Sequence, residues 1–86
     1  MNLDYYEEVI GEFKKVFQKN EFLILKLEIN GKTHELKYPI NSQESEIIQN
    51  EIKKISKGSK IGILRTDIPR KAIIMVKLGG ENEKQI

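Results

Sequence analysis

Apolar and polar residues recur with two different periods along this chain, and each period predicts its own elements. Up to residue 17, Leu3, Tyr6, Val9, Ile10, Phe13, Val16 and Phe17 gather on one arc at a helical 100° per residue. Asp4, Glu8, Glu12, Lys15 and Lys19 fall on the other side. Asp4 with Glu7 three positions later resembles a capping box. The pattern therefore predicts an amphipathic helix over 4–19 with an aromatic-rich face. Gly11 lies on its polar side, at a cost of up to about 1 kcal/mol against Ala.

The period then changes to two. Residues 22–29 alternate into Asn30-Gly31, and 32–38 follow. Asn-Gly between two such runs is the strongest local signal for a two-residue type I′ hairpin. Its register sets Leu27 against His34, Leu25 against Leu36 and Leu23 against Tyr38 on one face. Glu28 meets Thr33, Lys26 meets Glu35 and Ile24 meets Lys37 on the other. Pro39 closes the second strand. Asn41 or Ser42 caps a second helix over 43–57, which buries Ile47, Ile48, Ile52 and Ile55 and has Glu51 at its rim. Lys53, Lys54 and Lys57 suit its last turn, and Gly58 its C′ position.

Two more strands are predicted over 60–66 and 72–78, joined by Asp67-Ile68-Pro69-Arg70-Lys71. Ile61 and Ile63 are expected on one face with Ile74, Val76 and Leu78. Leu64, Ile73 and Met75 take the other. The fold class that follows is α+β, in the order α-β-β-α-β-β. Its sheet is four-stranded and mixed, with order 2-1-4-3 and the first and last strands parallel at its centre. The second helix covers one face. The first helix lies on the other, giving three layers; otherwise that face or the helix dimerises. Residues 1–80 form the single domain and 81–86 a flexible tail.

The middle of the chain resembles the β-grasp family, which includes ubiquitin-like proteins. The residues that carry the likeness are the hairpin Leu25-Lys26-Leu27-Glu28-Ile29-Asn30-Gly31-Lys32-Thr33-His34-Glu35-Leu36, the capped helix from Ser42, and Met75-Val76-Lys77-Leu78-Gly79-Gly80. The resemblance implies a compact ββαββ unit with an open sheet face for recognition. Its di-glycine end would imply a modifier or sulfur carrier processed after Gly80. The stretch between Gly58 and Ala72 is shorter than in ubiquitin, six residues follow Gly80, and a helix over 4–19 would be an addition.

Composition narrows the chemistry. The chain has 86 residues, no Cys and a single His, which excludes disulfides and leaves His34 without a companion for a zinc site. The serines lie in no nucleophile-elbow context, and Gly58-Ser59-Lys60 lacks phosphate-loop spacing and precedes a strand. The expectation is a non-enzyme with no cofactor and no metal. No apolar run approaches the roughly 20 residues of a membrane span, and no secretory signal stands at the start, so a cytoplasmic location is expected. The net charge of +2 is unevenly spread: residues 1–13 carry −4 and residues 57–78 carry +5.

Two function classes follow. The first is a small protein-interaction module, accessory or regulatory, whose partner surface is Phe22, Ile24, Leu64, Ile73 and Met75 and whose partner is another protein or a second copy. The second is weak, backbone-directed nucleic-acid binding, with Lys57, Lys60, Arg65, Arg70, Lys71 and Lys77 as phosphate contacts. Aromatic residues for base stacking are missing from that basic stretch.

Overall fold

A computed structural model describes residues 1–79. Its elements are β1 (Glu8–Lys19), β2 (Phe22–Ile29), β3 (Lys32–Pro39), α1 (Gln43–Ile52), β4 (Lys60–Arg65) and β5 (Ile73–Gly79). They form one five-stranded antiparallel sheet in the order β3-β2-β1-β4-β5. Three hairpin-linked strands followed by a fourth that returns beside the first make a Greek key. Helix α1 is the long connection, and β5 extends the sheet by one more hairpin.

This arrangement corrects the four-stranded, two-helix layout. Residues 8–19 are the central strand, not a helix, and no helix covers the outer sheet face among the described residues. The expected parallel pair of β2 and β5 is absent because β1 and β4 lie between them. The order 2-1-4-3 and the β-grasp likeness fall with that pair. The local capping signal does form, since Asp4 N–H donates to Glu7 Oε1 at 2.8 Å and Glu7 N–H to Asp4 C=O at 3.0 Å. It closes a turn with Tyr6 at φ 63°, and a strand follows.

The helical period of residues 9–16 is produced by a strand with a bulge. Val9, Gly11 and Phe13 face inward, opposite Ile63, Ile61 and Leu27. The register then shifts between Phe13 and Lys15, and Val16 faces inward opposite Leu25. A bulge adds one residue to a two-residue repeat. Gly11 contributes no side chain, so the apolar inward positions read 9, 13 and 16, which is helical spacing. Gly11 is required there: a Cβ would meet Ile29 Cγ1 at 2.9 Å and the Glu28 carbonyl at 3.0 Å.

The β2–β3 hairpin has the expected register at every pair from Leu23/Tyr38 to Glu28/Thr33. Asn30 (φ 52°) and Gly31 (φ 81°) hold the left-handed turn. Ser42 caps α1, accepting from Ser45 N–H at 3.1 Å. The helix ends at Ile52, five residues before its expected limit. The chain must turn there to dock on β1, where Gly58 N–H donates to Phe13 C=O and Phe13 N–H to Ser59 C=O, both at 2.8 Å. Lys53, Lys54 and Lys57 consequently lie beyond the helix.

Leu25, Leu27, Leu36, Ile48, Ile61 and Ile63 form the centre of the core, with Phe13, Leu23, Ile73 and Met75 around them. Helix α1 packs against both edge strands, β3 and β5, and its Ile48 is fully buried. Leu3, 5% exposed, closes the same interior from the N-terminal segment. Arg65 fixes that segment by donating to Leu3 C=O at 2.7 Å. The last hairpin departs from expectation by one position. Ile61 and Ile63 share their face with Ile73 and Met75, while Leu64, Ile74, Val76 and Leu78 point outward. The six-residue tail and Gly80 lie outside the described residues.

Candidate nucleic-acid interface

The outer face of the sheet is two surfaces joined along β1. On the β1-β2-β3 half, three rows cross the strands: Lys19, Phe22 and Pro39; Phe17, Ile24 and Lys37; Lys15, Lys26 and Glu35. Ile24 is 4% exposed although it lies on the outer face, because its neighbours cover it. Phe22 remains 39% exposed. Phe17 and Phe22 occupy diagonal positions on adjacent strands, a separation of about 7–8 Å.

Lysine ammonium groups surround these rings. Lys15 Nζ lies 4.9 Å and Lys26 Nζ 5.8 Å from the centre of Phe17, and Lys37 Nζ lies 5.2 Å from Phe22. Such contacts hold long cations over aromatic faces at the protein surface. Of these lysines, only Lys26 has an acidic partner among the described residues, Glu35 at 3.7 Å. Lys15, Lys19, Lys26 and Lys37 against Glu35 leave the patch strongly positive. At its margin Lys14 is tied to Glu28 at 3.0 Å and to Glu12 at 3.1 Å. Hydrogen bonds to Glu28 and then Glu12 raise the Lys14 pKa above its ordinary value.

The cations expected to bind phosphate do not converge. Lys57 follows α1, Lys60 pairs with Glu12 on the outer face, and Lys77 is on the edge strand β5. Arg65 is half-buried at the inner end of β4, its guanidinium 4.3 Å from the Tyr5 ring. Arg70 (φ 67°) and Lys71 are exposed in the β4–β5 loop. That loop is pinned to the N-terminal turn by the hydrogen bond from Tyr6 hydroxyl to Asp67, which raises the Tyr6 pKa.

The expected partner surface is also divided. Ile73 and Met75 are core residues at 2% and 7% exposure. Leu64 lies on the β4-β5 half, and Phe22 and Ile24 on the other. Reading 4–19 as a helix directed its phenylalanines to the core, so the aromatic rows were missed. The signal available was composition: Val9, Ile10, Phe13, Val16 and Phe17 are β-branched or aromatic, which favours a strand.

Inside the sheet, His34 is half-buried opposite Leu27, as the register anticipates. A cleft of about 320 Å³ opens between the N-terminal segment, Lys37, Tyr38, Glu44 and Arg65. The Tyr38 hydroxyl beside it is buried without a hydrogen-bond partner among the described residues. Burial pushes its pKa up to about 12, with Glu44 adding to the shift and Arg65 opposing it. Among the described residues, no three His, Asp or Glu side chains meet in a metal-binding geometry, and no helix is long and apolar enough to cross a membrane. No protein-family model, curated protein or solved structure matches the chain.

Proposed function

We propose that this protein binds single-stranded nucleic acid on the β1-β2-β3 face, acting by binding rather than catalysis. The observation that carries the reading is the pair of surface phenylalanines, Phe17 and Phe22, set among Lys15, Lys19, Lys26 and Lys37. Bases stack on aromatic rings regardless of sequence, and lysines track the phosphates. The diagonal spacing of the two rings suits successive bases of an extended strand better than the closed stack of a duplex. Partly open five-stranded Greek-key barrels of the oligonucleotide-binding type use the face of strands 2 and 3 in this way. That likeness supports the reading, but the site residues carry it.

Fluorescence anisotropy with labelled dT and U homo-oligomers tests the reading directly. Binding is expected at low salt. Its log–log salt slope should approach about −3, from four lysines at about 0.7 each on a single strand. Phe22→Ala should weaken binding roughly 5- to 150-fold, the equivalent of about 1–3 kcal/mol per stacked base. No binding at low salt by a folded protein, or equal binding by Phe22→Ala, would overturn it.

A further inference from the structure

The β1-β4-β5 half of the outer face carries a second, chemically different surface. Ile10, Ile74, Val76 and Leu78 are 43%, 37%, 43% and 44% exposed. Val76 and Leu78 lean over Gly62, whose Cβ position is 3.5 Å from Val76 Cγ2 and 3.3 Å from Leu78 Cδ1. Together they make an aliphatic strip running to the edge of the sheet.

Among the described residues the edge itself is open. Thr66 N–H donates to Ala72 C=O at 2.9 Å, which makes that pair a hydrogen-bonded one in register with Arg65/Ile73. The alternation of an antiparallel ladder then turns the N–H and C=O groups of Ile73, Met75 and Lys77 away from β4. None of these groups has a backbone partner among the described residues.

The opposite edge is guarded. β3 carries Lys32, Glu35, Lys37 and Pro39, and the Met1 amino group donates to Glu35 C=O at 3.3 Å. Charges and proline are the usual protection of an edge strand. On β5 the outward row is aliphatic.

We infer that β5 pairs antiparallel with β5 of a second copy about a two-fold axis at Val76. This register matches the outward-turned groups, because Met75 of one copy then exchanges backbone hydrogen bonds with Lys77 of the other. On the outer face Ile74 meets Leu78, Val76 meets Val76, and Leu78 meets Ile74. The row is self-complementary, as a two-fold interface requires. No like charges face each other directly, since Lys77 stands opposite Met75. Glu8 Oε2 reaches 3.5 Å from the Gly62 Cβ position, beside Val76 and Leu78 on the β4 side of the paired row, and Glu12 and Lys60 pair across β1 and β4. Area sets the strength. One strip presents on the order of 300 Å² of apolar surface, comparable with the largest patch of an ordinary monomer. With the paired strands, the total burial is on the order of 1,000 Å², the low end for a specific interface. The dimer is therefore reversible and concentration-dependent.

Sedimentation velocity from micromolar to millimolar protein, without nucleic acid, measures the association. A shift from monomer to dimer is expected. Val76→Lys sets two like charges opposite each other at the axis and should restore the monomer at every concentration, with an unchanged circular dichroism spectrum. The register has its own test, because the chain contains no Cys. Val76 lies at a non-hydrogen-bonded position, where Cα atoms are about 4.5 Å apart, within the disulfide range of about 4.4–6.8 Å. Mild oxidation should convert Val76→Cys to a covalent dimer and leave Ile74→Cys, which faces Leu78, uncrosslinked. A protein that stays monomeric at millimolar concentration, or equal crosslinking of both cysteine variants, would overturn the inference.

Discussion

The two halves of the outer sheet face share one strand and differ in everything that contacts solvent. On the β1-β2-β3 half, apolar surface is aromatic and each phenyl ring has an ammonium group within 6 Å. On the β1-β4-β5 half it is aliphatic, its nearest charge is the Glu8 carboxylate reaching over Gly62, and it continues to an edge that is unpaired among the described residues. A phenyl ring offers a face that a base or a cation can use. An aliphatic side chain offers only area, which another aliphatic surface removes from water. The same fold thus presents a surface suited to a polyanion and one suited to its own copy. The bulge between Phe13 and Lys15 divides the strand that serves both.

Breaking what the halves share has the largest effect. Gly11→Val pushes a branched side chain into Ile29 and the Glu28 backbone, at 2.9 and 3.0 Å from its Cβ. Overpacking at such a place costs about 3 kcal/mol. Chemical denaturation should show that loss, and both surfaces should weaken together.

Charge reversal separates the halves. Lys26→Glu with Lys37→Glu should abolish measurable oligonucleotide binding at moderate salt and leave sedimentation unchanged. Reversing Arg70 and Lys71 in the β4–β5 loop should lower affinity only through net charge, a few-fold at low salt, with no loss at moderate salt. Anisotropy titrations on the two double variants rank the surfaces. If the loop reversal has the larger effect, the basic 57–78 segment is the binding surface and the aromatic rows are not.

These contrasts also show what the sequence made legible. The β2–β3 hairpin was readable to the residue, because Asn30-Gly31 fixes the turn and an alternating pattern then fixes every pair. Helix α1 and the two later strands were readable in type and position, with ends displaced by a few residues. β1 was not, since a bulge and an inward glycine turned a two-residue repeat into a helical one. That single misassignment cost the sheet order, which hid the aromatic rows. The faces of the last hairpin were hidden for another reason. β5 is apolar at Ile73, Ile74, Met75, Val76 and Leu78, so alternation cannot say which set is inward.

The aliphatic half should tolerate single changes with little effect on folding. Leu78→Thr removes part of an exposed strip and should alter stability by less than about 0.5 kcal/mol. It should nonetheless weaken self-association, which equilibrium sedimentation reads. A large loss of folding stability would mean that Leu78 packs as a core residue, and the strip would not be a free surface.

The smallest expected effect at neutral pH concerns Tyr38, on the inner side of the aromatic half. Its hydroxyl is buried without a partner among the described residues, and burial lifts its pKa from the ordinary 10 to about 12. Between those values the folded chain holds a proton that the unfolded chain has released. Stability from this group is therefore complete below pH 10 and is lost as pH rises towards 12, by up to about 2–3 kcal/mol. Tyr38→Phe removes the titrating group together with an unsatisfied polar atom. At pH 7 it should be neutral or slightly stabilising, because no hydrogen bond is lost. Between pH 10 and 12 its midpoint of denaturation should fall less than that of the parent. Parallel denaturation curves for both proteins across that window check the sign. An identical alkaline decline would place the buried proton on another group and leave the β1-β2-β3 half of the sheet without a titratable weak point beneath its surface.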